Sequence, residues 1–373
     1  MERARVVIAA GGTAGHVVPA IAVADALRAS GAAEVSFVGT RERAEAELVP
    51  AAGYEIDFLR VSGLDRRNPL RAAAAAWRAL RAVPAAKRLL REHGADAVMG
   101  GGGYVAGPVG LAAVRSGVPL VLTEADSHLG LANRMLARRA DRVCLAFPIP
   151  GREGEPYLLT GRPVPAAVLA ADPGAARRRF GIPEADACVA VFGGSLGSLS
   201  VNEAAFAAFA GEGGAPGRVG APWVLHVAGR RDYPELQRRW RSAGEPPRYL
   251  LREYEPSLGD LLAACDLVVA RAGGSVMEIA AAGRPAILVP YPHATADHQS
   301  ANARWMESGG AAIVIADDEL TPQRLAAEAG PLLADPELRG RMAAASRRLA
   351  RPDAAERIAE EVLAAAAGRA GAR

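Results

Sequence analysis

Three short glycine-rich stretches have the residue types to hold an anion on backbone groups: Gly11-Gly12-Thr13-Ala14-Gly15-His16, Gly193-Gly194-Ser195-Leu196-Gly197-Ser198 and Arg271-Ala272-Gly273-Gly274-Ser275. Each follows an apolar run and leads into a helical stretch, so its unpaired N–H groups would face a phosphate at a helix start. Any one of them serves equally well as a tight turn; three at matching places are harder to assign to turns alone. His16 closes the first stretch, where the positive end of a helix dipole favours the neutral imidazole. A neutral histidine beside a phosphate loop can act as general base; capping or packing is the plainer alternative. Glu278 lies one turn into the helix after the third stretch. There a carboxylate can accept two hydrogen bonds from a ribose diol, or simply offset the dipole. Asp297, His298, Gln299 and Asn302 form a polar group suited to reading sugar hydroxyls.

The rest of the sequence narrows the chemistry. Lys87 is the sole lysine and sits in a basic helical stretch. A phosphate loop with lysine after its glycines and a Schiff-base pocket are therefore excluded. A dinucleotide fold wants G-x-G-x-x-G and an acidic residue ending the second strand. Here the first turn reads Gly-Gly-x-x-Gly, and the second apolar run ends Val38-Gly39-Thr40. Cys144, Cys188 and Cys265 are far apart and form no Cys-x-x-Cys pair. They suit buried apolar roles in a reducing compartment, and neither a disulfide framework nor a metal is expected. No cofactor is expected. A net charge of +3 is too small for the dominant basic field of a nucleic-acid binder. The apolar run at 6–10 is too short for a secretory signal, and no charge-free run of about 18 apolar residues occurs, so a cytoplasmic location is expected.

These residues need a frame. Residues 6–10 are continuously apolar, as a strand buried on both faces requires. Residues 19–29 then have helical composition. Further strand candidates at 34–38, 96–99 and 119–123 alternate with helical stretches, the pattern of a parallel sheet covered on both faces. The pattern restarts after Pro163, with a strand at 188–192, a turn, a helix at 201–209 and strand candidates at 223–228, 249–252, 267–270 and 286–290. The halves thus begin alike, about 180 residues apart. The expectation is an α/β chain of two Rossmann-like domains, 1–163 and 164–345, with helical residues 346–373 available to pack back on the first. In such sheets ligands bind beyond the carboxyl ends of the strands, where the glycine turns fall.

The motifs together are recognisable. Gly11-Gly12-Thr13-Ala14-Gly15-His16 with Pro19, Gly102-Gly103-Tyr104-Val105-Ala106-Gly107-Pro108, Gly193-Gly194-Ser195-Leu196-Gly197, and Glu278-Ile279-Ala280-Ala281-Ala282-Gly283 with Pro285 closely resemble the MurG family. That family comprises the UDP-N-acetylglucosamine:N-acetylmuramyl-(pentapeptide) pyrophosphoryl-undecaprenol N-acetylglucosaminyltransferases. The likeness is collinear from about Val6 to Asn302, and the combination is specific where no single motif would be. It implies a GT-B fold, two Rossmann-like domains facing each other across a cleft, with UDP-GlcNAc on the C-terminal domain and a lipid-linked acceptor on the N-terminal one. It implies inverting, metal-independent transfer of GlcNAc to the C4 hydroxyl of MurNAc, lipid I to lipid II, in peptidoglycan synthesis. By position His16 matches the family's proposed base, with Glu124 the next candidate. Thr13, Ala14 and Gly15 match a donor-contacting loop, Glu278 the ribose-binding glutamate, and Gln299, next to His298, the sugar-binding glutamine. Backbone N–H groups at Ser195 and at Gly273, Gly274 and Ser275 would steady the diphosphate. Gly102, Gly103 and Tyr104 fall in the acceptor-side motif.

Some positions depart from the family pattern. Thr123-Glu124-Ala125-Asp126 replaces His-Glu-x-Asn, so Asp126 stands for a sugar-contacting amide. Gly161-Arg162-Pro163-Val164-Pro165 replaces Gly-Asn-Pro-Val-Arg, and Arg162 is expected to pair with Asp126 at the donor. The third glycine turn is one residue shorter. Arg66, Arg67, Arg71, Arg78, Arg81, Lys87, Arg88 and Arg91 lie in a stretch without acidic residues, interleaved with Leu70, Trp77, Leu80, Val83, Leu89 and Leu90. This suits an anionic membrane surface, or else a solvated basic helix. An acceptor that stays in the bilayer favours the first, and with it a peripheral place on the cytoplasmic face of the cell membrane. The alternatives are a related GT-B enzyme acting on another lipid or natural product, a UDP-sugar 2-epimerase and a non-catalytic nucleotide-sugar binder. The basic segment speaks against the epimerase, and His16 with Glu278 against the binder.

Overall fold

The computed structural model describes residues 3–62, 69–194, 197–210, 221–294 and 297–371. The chain divides into two compact units, Met1–Pro165 with Arg351–Arg373, and Ala166–Ala350.

Among the described residues, the first unit holds a seven-stranded parallel sheet of β1 (Ala4–Ala9), β2 (Ala33–Gly39), β3 (Glu55–Phe58), β4 (Ala97–Gly100), β5 (Leu120–Glu124), β6 (Arg142–Leu145) and β7 (Tyr157–Leu159). Its order is β3-β2-β1-β4-β5-β6-β7. Alternate residues of β1 feed different cores: Val7 and Ala9 join one cluster, Val6 and Ile8 the other. That is the two-residue period of a strand covered on both faces. The unit's helices are α1 (Ala14–Ala29), α2 (Glu45–Ala51), α3 (Pro69–Glu92), α4 (Ala106–Arg115) and α5 (Leu131–Leu136).

The second unit holds, among the described residues, six parallel strands: β8 (Cys188–Phe192), β9 (Trp223–Val227), β10 (Tyr249–Arg252), β11 (Leu267–Ala270), β12 (Ala286–Leu288) and β13 (Ala312–Val314). They lie in the order β10-β9-β8-β11-β12-β13. Helices α6 (Ala166–Leu169), α7 (Pro173–Phe180), α8 (Leu199–Ala210), α9 (Tyr233–Ser242), α10 (Leu258–Ala264), α11 (Val276–Ala281), α12 (His298–Ser308), α13 (Pro322–Ala334) and α14 (Pro336–Leu349) complete it. The final helix, α15 (Ala354–Gly371), belongs to the first unit, where Ile358, Ala359, Val362 and Ala366 share a core with Val17, Val23 and Leu27 of α1.

Both sheets reverse strand order at the same relative place, between β1 and β4 and between β8 and β11. Loops leaving adjacent strands diverge there and leave a crevice at the carboxyl edge. All three glycine stretches, and the one after β4, follow these four strands.

Helix α1 begins at Ala14, close to the helix start expected at His16 and five residues ahead of the helical composition at 19–29. Thr13 takes the extended cap conformation (φ −118°, ψ 159°), and its carbonyl accepts from the His16 N–H at 3.0 Å. The helix therefore runs through Pro19, which has no N–H to give the carbonyl four residues back, that of Gly15. Among the described residues, no helix is long and apolar enough to cross a membrane.

Candidate active site

In the first unit the glycine loops after β1 and β4 pack on each other. Gly102 and Gly103 hold φ of 95° and 76°, a region glycine enters without steric cost. Their approach leaves no room for a side chain. A Cβ on Gly103 would lie 2.0 Å from the Gly11 carbonyl oxygen, and one on Gly102 would lie 2.4 Å from Cδ2 of His16. Tyr104 borders the same loop, with its ring 3.6 Å from where a Gly12 Cβ would stand. Gly102 and Gly103 thus brace the loop that carries Thr13, Ala14, Gly15 and His16.

His16 is half-buried at the start of α1. Its Nδ1 faces the Thr13 hydroxyl at 3.4 Å. Burial pushes its pKa below the ordinary value of 6.5; the Asp126 carboxylate pulls it up, the Arg162 guanidinium pushes it down, and Glu45 pulls it up. Burial prevails, so the imidazole is neutral near pH 7.

The expected pairing of Arg162 with Asp126 does not form: among the described residues no ion pair joins them. The Arg162 Nη2 donates instead to the Gly15 carbonyl at 2.8 Å, and Nη1 reaches the Ala125 carbonyl at 3.5 Å. The physical reason lies in Pro19, because the Gly15 carbonyl is the one that Pro19 cannot satisfy. Arg162 is 6% exposed, which places a buried cation beside His16.

Glu124, the second candidate base, is also buried. One carboxylate oxygen accepts from the Gly130 N–H at 2.7 Å and the Asn133 amide at 2.9 Å, the other from the Asp126 N–H at 3.3 Å. Burial pushes its pKa up, against these bonds. With both oxygens engaged inside its own loop, Glu124 shapes residues 124–130 and holds Asp126 in place. Glu45 has a similar role that the sequence did not reveal. Fully buried at the head of α2, it accepts from the Gly12 N–H at 2.9 Å, the Thr40 N–H at 2.9 Å and the Thr40 hydroxyl at 2.7 Å. It joins the glycine loop after β1 to the end of β2.

In the second unit the loops are gathered by Arg271, at the end of β11. Its Nε donates to the Ser198 hydroxyl at 2.7 Å and its Nη2 to the Ser200 hydroxyl at 2.8 Å. Nη1 pairs with Asp317 at 2.6 Å and reaches the Val289 and Pro290 carbonyls. One side chain therefore ties together the segments after β8, β11, β12 and β13. Gly273, Gly274 and Ser275 lie in the turn that leads into α11, whose first turn carries the buried Glu278. Gln299, on α12, accepts from the Tyr291 N–H at 2.9 Å, and its amide nitrogen lies 3.9 Å from where a Gly273 Cβ would stand. Asn302, one turn further, donates to the Ala272 carbonyl at 3.0 Å. The α12 residues Gln299 and Asn302 thus border the third glycine turn; His298 begins that helix. Ser195 lies outside the described residues.

The basic stretch of α3 sorts into two faces. Val83 and Leu90 point into the core, and Leu89 packs against it. Trp77 and Leu80 are each 58% exposed, and the Arg81 guanidinium lies 4.5 Å from the Trp77 ring centre. The apolar surface available to a bilayer is therefore narrower than the interleaving implied. Arg66 and Arg67, and the side chains of Leu70 and Arg71, lie outside the described residues.

Comparison with known proteins extends this geometry to a family. Residues 6–145 match the glycosyltransferase family 28 N-terminal domain, and residues 188–358 match its C-terminal domain. A protein of Alkalilimnicola ehrlichii is 44% identical over 365 residues, covering 96% of this chain and 98% of its own length. One of Acidithiobacillus ferrooxidans is 42% identical over 367 residues, covering 97% and 98%. Both bear the name UDP-N-acetylglucosamine--N-acetylmuramyl-(pentapeptide) pyrophosphoryl-undecaprenol N-acetylglucosamine transferase. The crystal structure of Acinetobacter baumannii MurG superposes with a TM-score of 0.76 at 29% identity, covering 97% of this chain and 99% of that one. The fold is α/β, of the GT-B class, and the chain belongs to glycosyltransferase family 28 and, within it, to the MurG family.

Proposed function

We propose that the chain transfers N-acetylglucosamine from UDP-N-acetylglucosamine to the C4 hydroxyl of N-acetylmuramic acid in undecaprenyl-pyrophosphoryl-N-acetylmuramyl-pentapeptide, lipid I to lipid II, with inversion. The observation that carries this reading is His16, kept neutral by burial at the carboxyl edge of β1 and braced by Gly102. The names of the relatives, at more than 40% identity over nearly the whole chain, support the choice of donor and acceptor.

In this mechanism the His16 Nε2 takes the proton of the acceptor hydroxyl, since Nδ1 faces Thr13. The acceptor oxygen forms a bond to the anomeric carbon as the bond from that carbon to UDP breaks. UDP leaves with the electron pair, and the imidazolium then returns its proton to water. Arg162 resists premature protonation of His16, while Asp126 stabilises the imidazolium once it forms. The N–H groups of the turns at residues 193–198 and 273–275 stabilise the leaving diphosphate, and Glu278 holds the ribose. Gln299 and His298 face the sugar. Tyr104 meets the acceptor.

The exposed Trp77 and Leu80, with Arg78, Arg81 and Arg88 along the same helix, suit a peripheral attachment to the anionic cytoplasmic face of the membrane. The lipid-linked acceptor resides there.

The test is a donor panel. The full chain is incubated with a short-chain lipid I analogue and UDP-GlcNAc, UDP-GalNAc or UDP-glucose in turn. Turnover concentrated on UDP-GlcNAc is expected. Turnover with another UDP-sugar in its place contradicts the assignment and points to a different GT-B activity.

A further inference from the structure

Behind the glycine turn after β8 runs a buried chain of polar side chains. Tyr249 on β10, His226 on β9 and Asn202 on α8 are all 2% exposed or less. The Tyr249 hydroxyl and His226 Nδ1 are 2.5 Å apart, and His226 Nε2 and the Asn202 Oδ1 are 2.9 Å apart. The Asn202 amide nitrogen donates to the Ala228 carbonyl at 2.9 Å and to Asp232 Oδ2 at 3.1 Å. These contacts fix every proton in the chain. The Asn202 nitrogen faces two acceptors, so its oxygen accepts, and His226 donates from Nε2. Nδ1 is then the acceptor, and the Tyr249 hydroxyl donates to it. Burial holds His226 neutral by lowering its pKa to about 3.

The chain ends on Asp232, 8% exposed, and Asp232 grips a surface arginine. Arg231 donates from Nε to Oδ1 at 2.7 Å and from Nη2 to Oδ2 at 3.1 Å, a two-point fork. Nη2 also reaches the Gly197 carbonyl at 3.5 Å. Gly197 packs on the same group: a Cβ there would lie 2.7 Å from Asp232 Oδ2 and 2.2 Å from the Ala228 carbonyl oxygen. A surface arginine normally samples many rotamers. This one is held in one place beside a glycine turn by a carboxylate that is itself held from the core. Its side chain is still 59% exposed, and among the described residues Nη1 has no protein partner. Asp232 also stands at the N-terminus of α9 and accepts from Asn202, so part of its charge is already offset. The guanidinium keeps its attraction for an anion.

We propose that Arg231 is a further ligand for the donor's diphosphate, with Asp232, Asn202 and His226 as its positioning residues. This rests on the reading of the second unit as the UDP-sugar half. An ordered arginine binds phosphate with less entropy to lose than a free one, and its planar donors match phosphate oxygens.

The experiment measures binding of UDP and of uridine to the full chain by titration calorimetry or ligand NMR. Arg231→Gln is expected to weaken UDP by about tenfold while uridine stays within roughly twofold, because only UDP carries the phosphates. Arg231→Lys keeps the charge but loses the fork, and should fall between the two. Asn202→Ala, studied below its melting temperature, should lower the UDP-to-uridine affinity ratio as Arg231→Gln does. A merely structural role would weaken both ligands alike. Arg231→Gln with unchanged UDP affinity, or with equal losses for UDP and uridine, overturns the proposal alone. An unaltered chain that binds no UDP overturns the donor reading and this proposal with it.

Discussion

Gly102 lies against the imidazole of His16 so closely that a single added carbon would stand 2.4 Å from the ring. The glycine motif after β4 therefore sets where the base can be. Gly102→Ala must move the ring or the loop, and φ of 95° adds strain for any side chain. A displacement near 1 Å at a reacting group costs on the order of a hundredfold in rate. The expected outcome is a fall in kcat of that order, with the KM for UDP-GlcNAc within about threefold. Steady-state kinetics checks it; an equal rise in KM with kcat unchanged would show that Gly102 serves donor binding instead.

The surroundings of His16 give a pH signature. The base works when neutral, so the rate rises with pH through the His16 pKa. Burial and Arg162 depress that pKa, and the acid limb should have its midpoint below pH 6.5. Asp126→Asn removes a charge that pulls the pKa up, and should move the midpoint lower still. Arg162→Gln removes a charge that pushes it down, and should move the midpoint higher. Profiles of kcat/KM for the three proteins check the two signs; shifts in the same direction would contradict this arrangement.

Glu45 makes a stability prediction. Glu45→Ala leaves the Gly12 N–H, the Thr40 N–H and the Thr40 hydroxyl without their acceptor inside the protein. A cost of about 3 kcal/mol is expected. It would appear as a lower urea midpoint with an unchanged slope. Glu45→Gln keeps one acceptor oxygen and should cost less. A loss below about 1 kcal/mol for the alanine variant would show that water replaces the carboxylate.

Much of this was legible in the sequence and some was not, for physical reasons. Central strands such as β1, β8 and β11 are buried on both faces and read as apolar runs. The strands the sequence hid are β3, β6, β7 and β13, of which β3, β7 and β13 are sheet edges. Edge strands are short or carry charge, as Glu55-Ile56-Asp57-Phe58 does. The glycine turns were legible because positive φ and close approach demand glycine locally. Glu45 and Arg271 were not, because what makes them important is distant in sequence: Gly12 is 33 residues from Glu45, and Ser198 is 73 from Arg271. Among so many arginines, neither Arg271 nor Arg162 stood out as a buried one. A helix start near His16 was legible from the glycine loop, but its passage through Pro19 was not, because Pro19 reads as a first-turn residue, whereas Arg162 supplies the donor that lets a proline sit deeper.

The exposed side of α3 should carry membrane attachment. Each arginine near an anionic surface contributes about 1 kcal/mol. Arg78→Gln with Arg81→Gln should then weaken binding to phosphatidylglycerol vesicles by roughly thirtyfold, and Trp77→Ala should weaken it further. Co-sedimentation with anionic and with zwitterionic vesicles checks this. Binding that ignores lipid charge, or that survives loss of both arginines, contradicts it.

Everything at the site bears on the transfer itself, with His16 as base. The most direct measurement incubates UDP-GlcNAc and a short-chain lipid I analogue with the unaltered chain and with His16→Ala, and determines product amount and linkage by mass spectrometry and NMR. The unaltered chain is expected to give a β-1,4-linked GlcNAc-MurNAc disaccharide. His16→Ala is expected to turn over roughly 10²- to 10⁴-fold more slowly, with UDP affinity nearly intact. No disaccharide from the unaltered chain, an α linkage, or undiminished turnover by His16→Ala would contradict it.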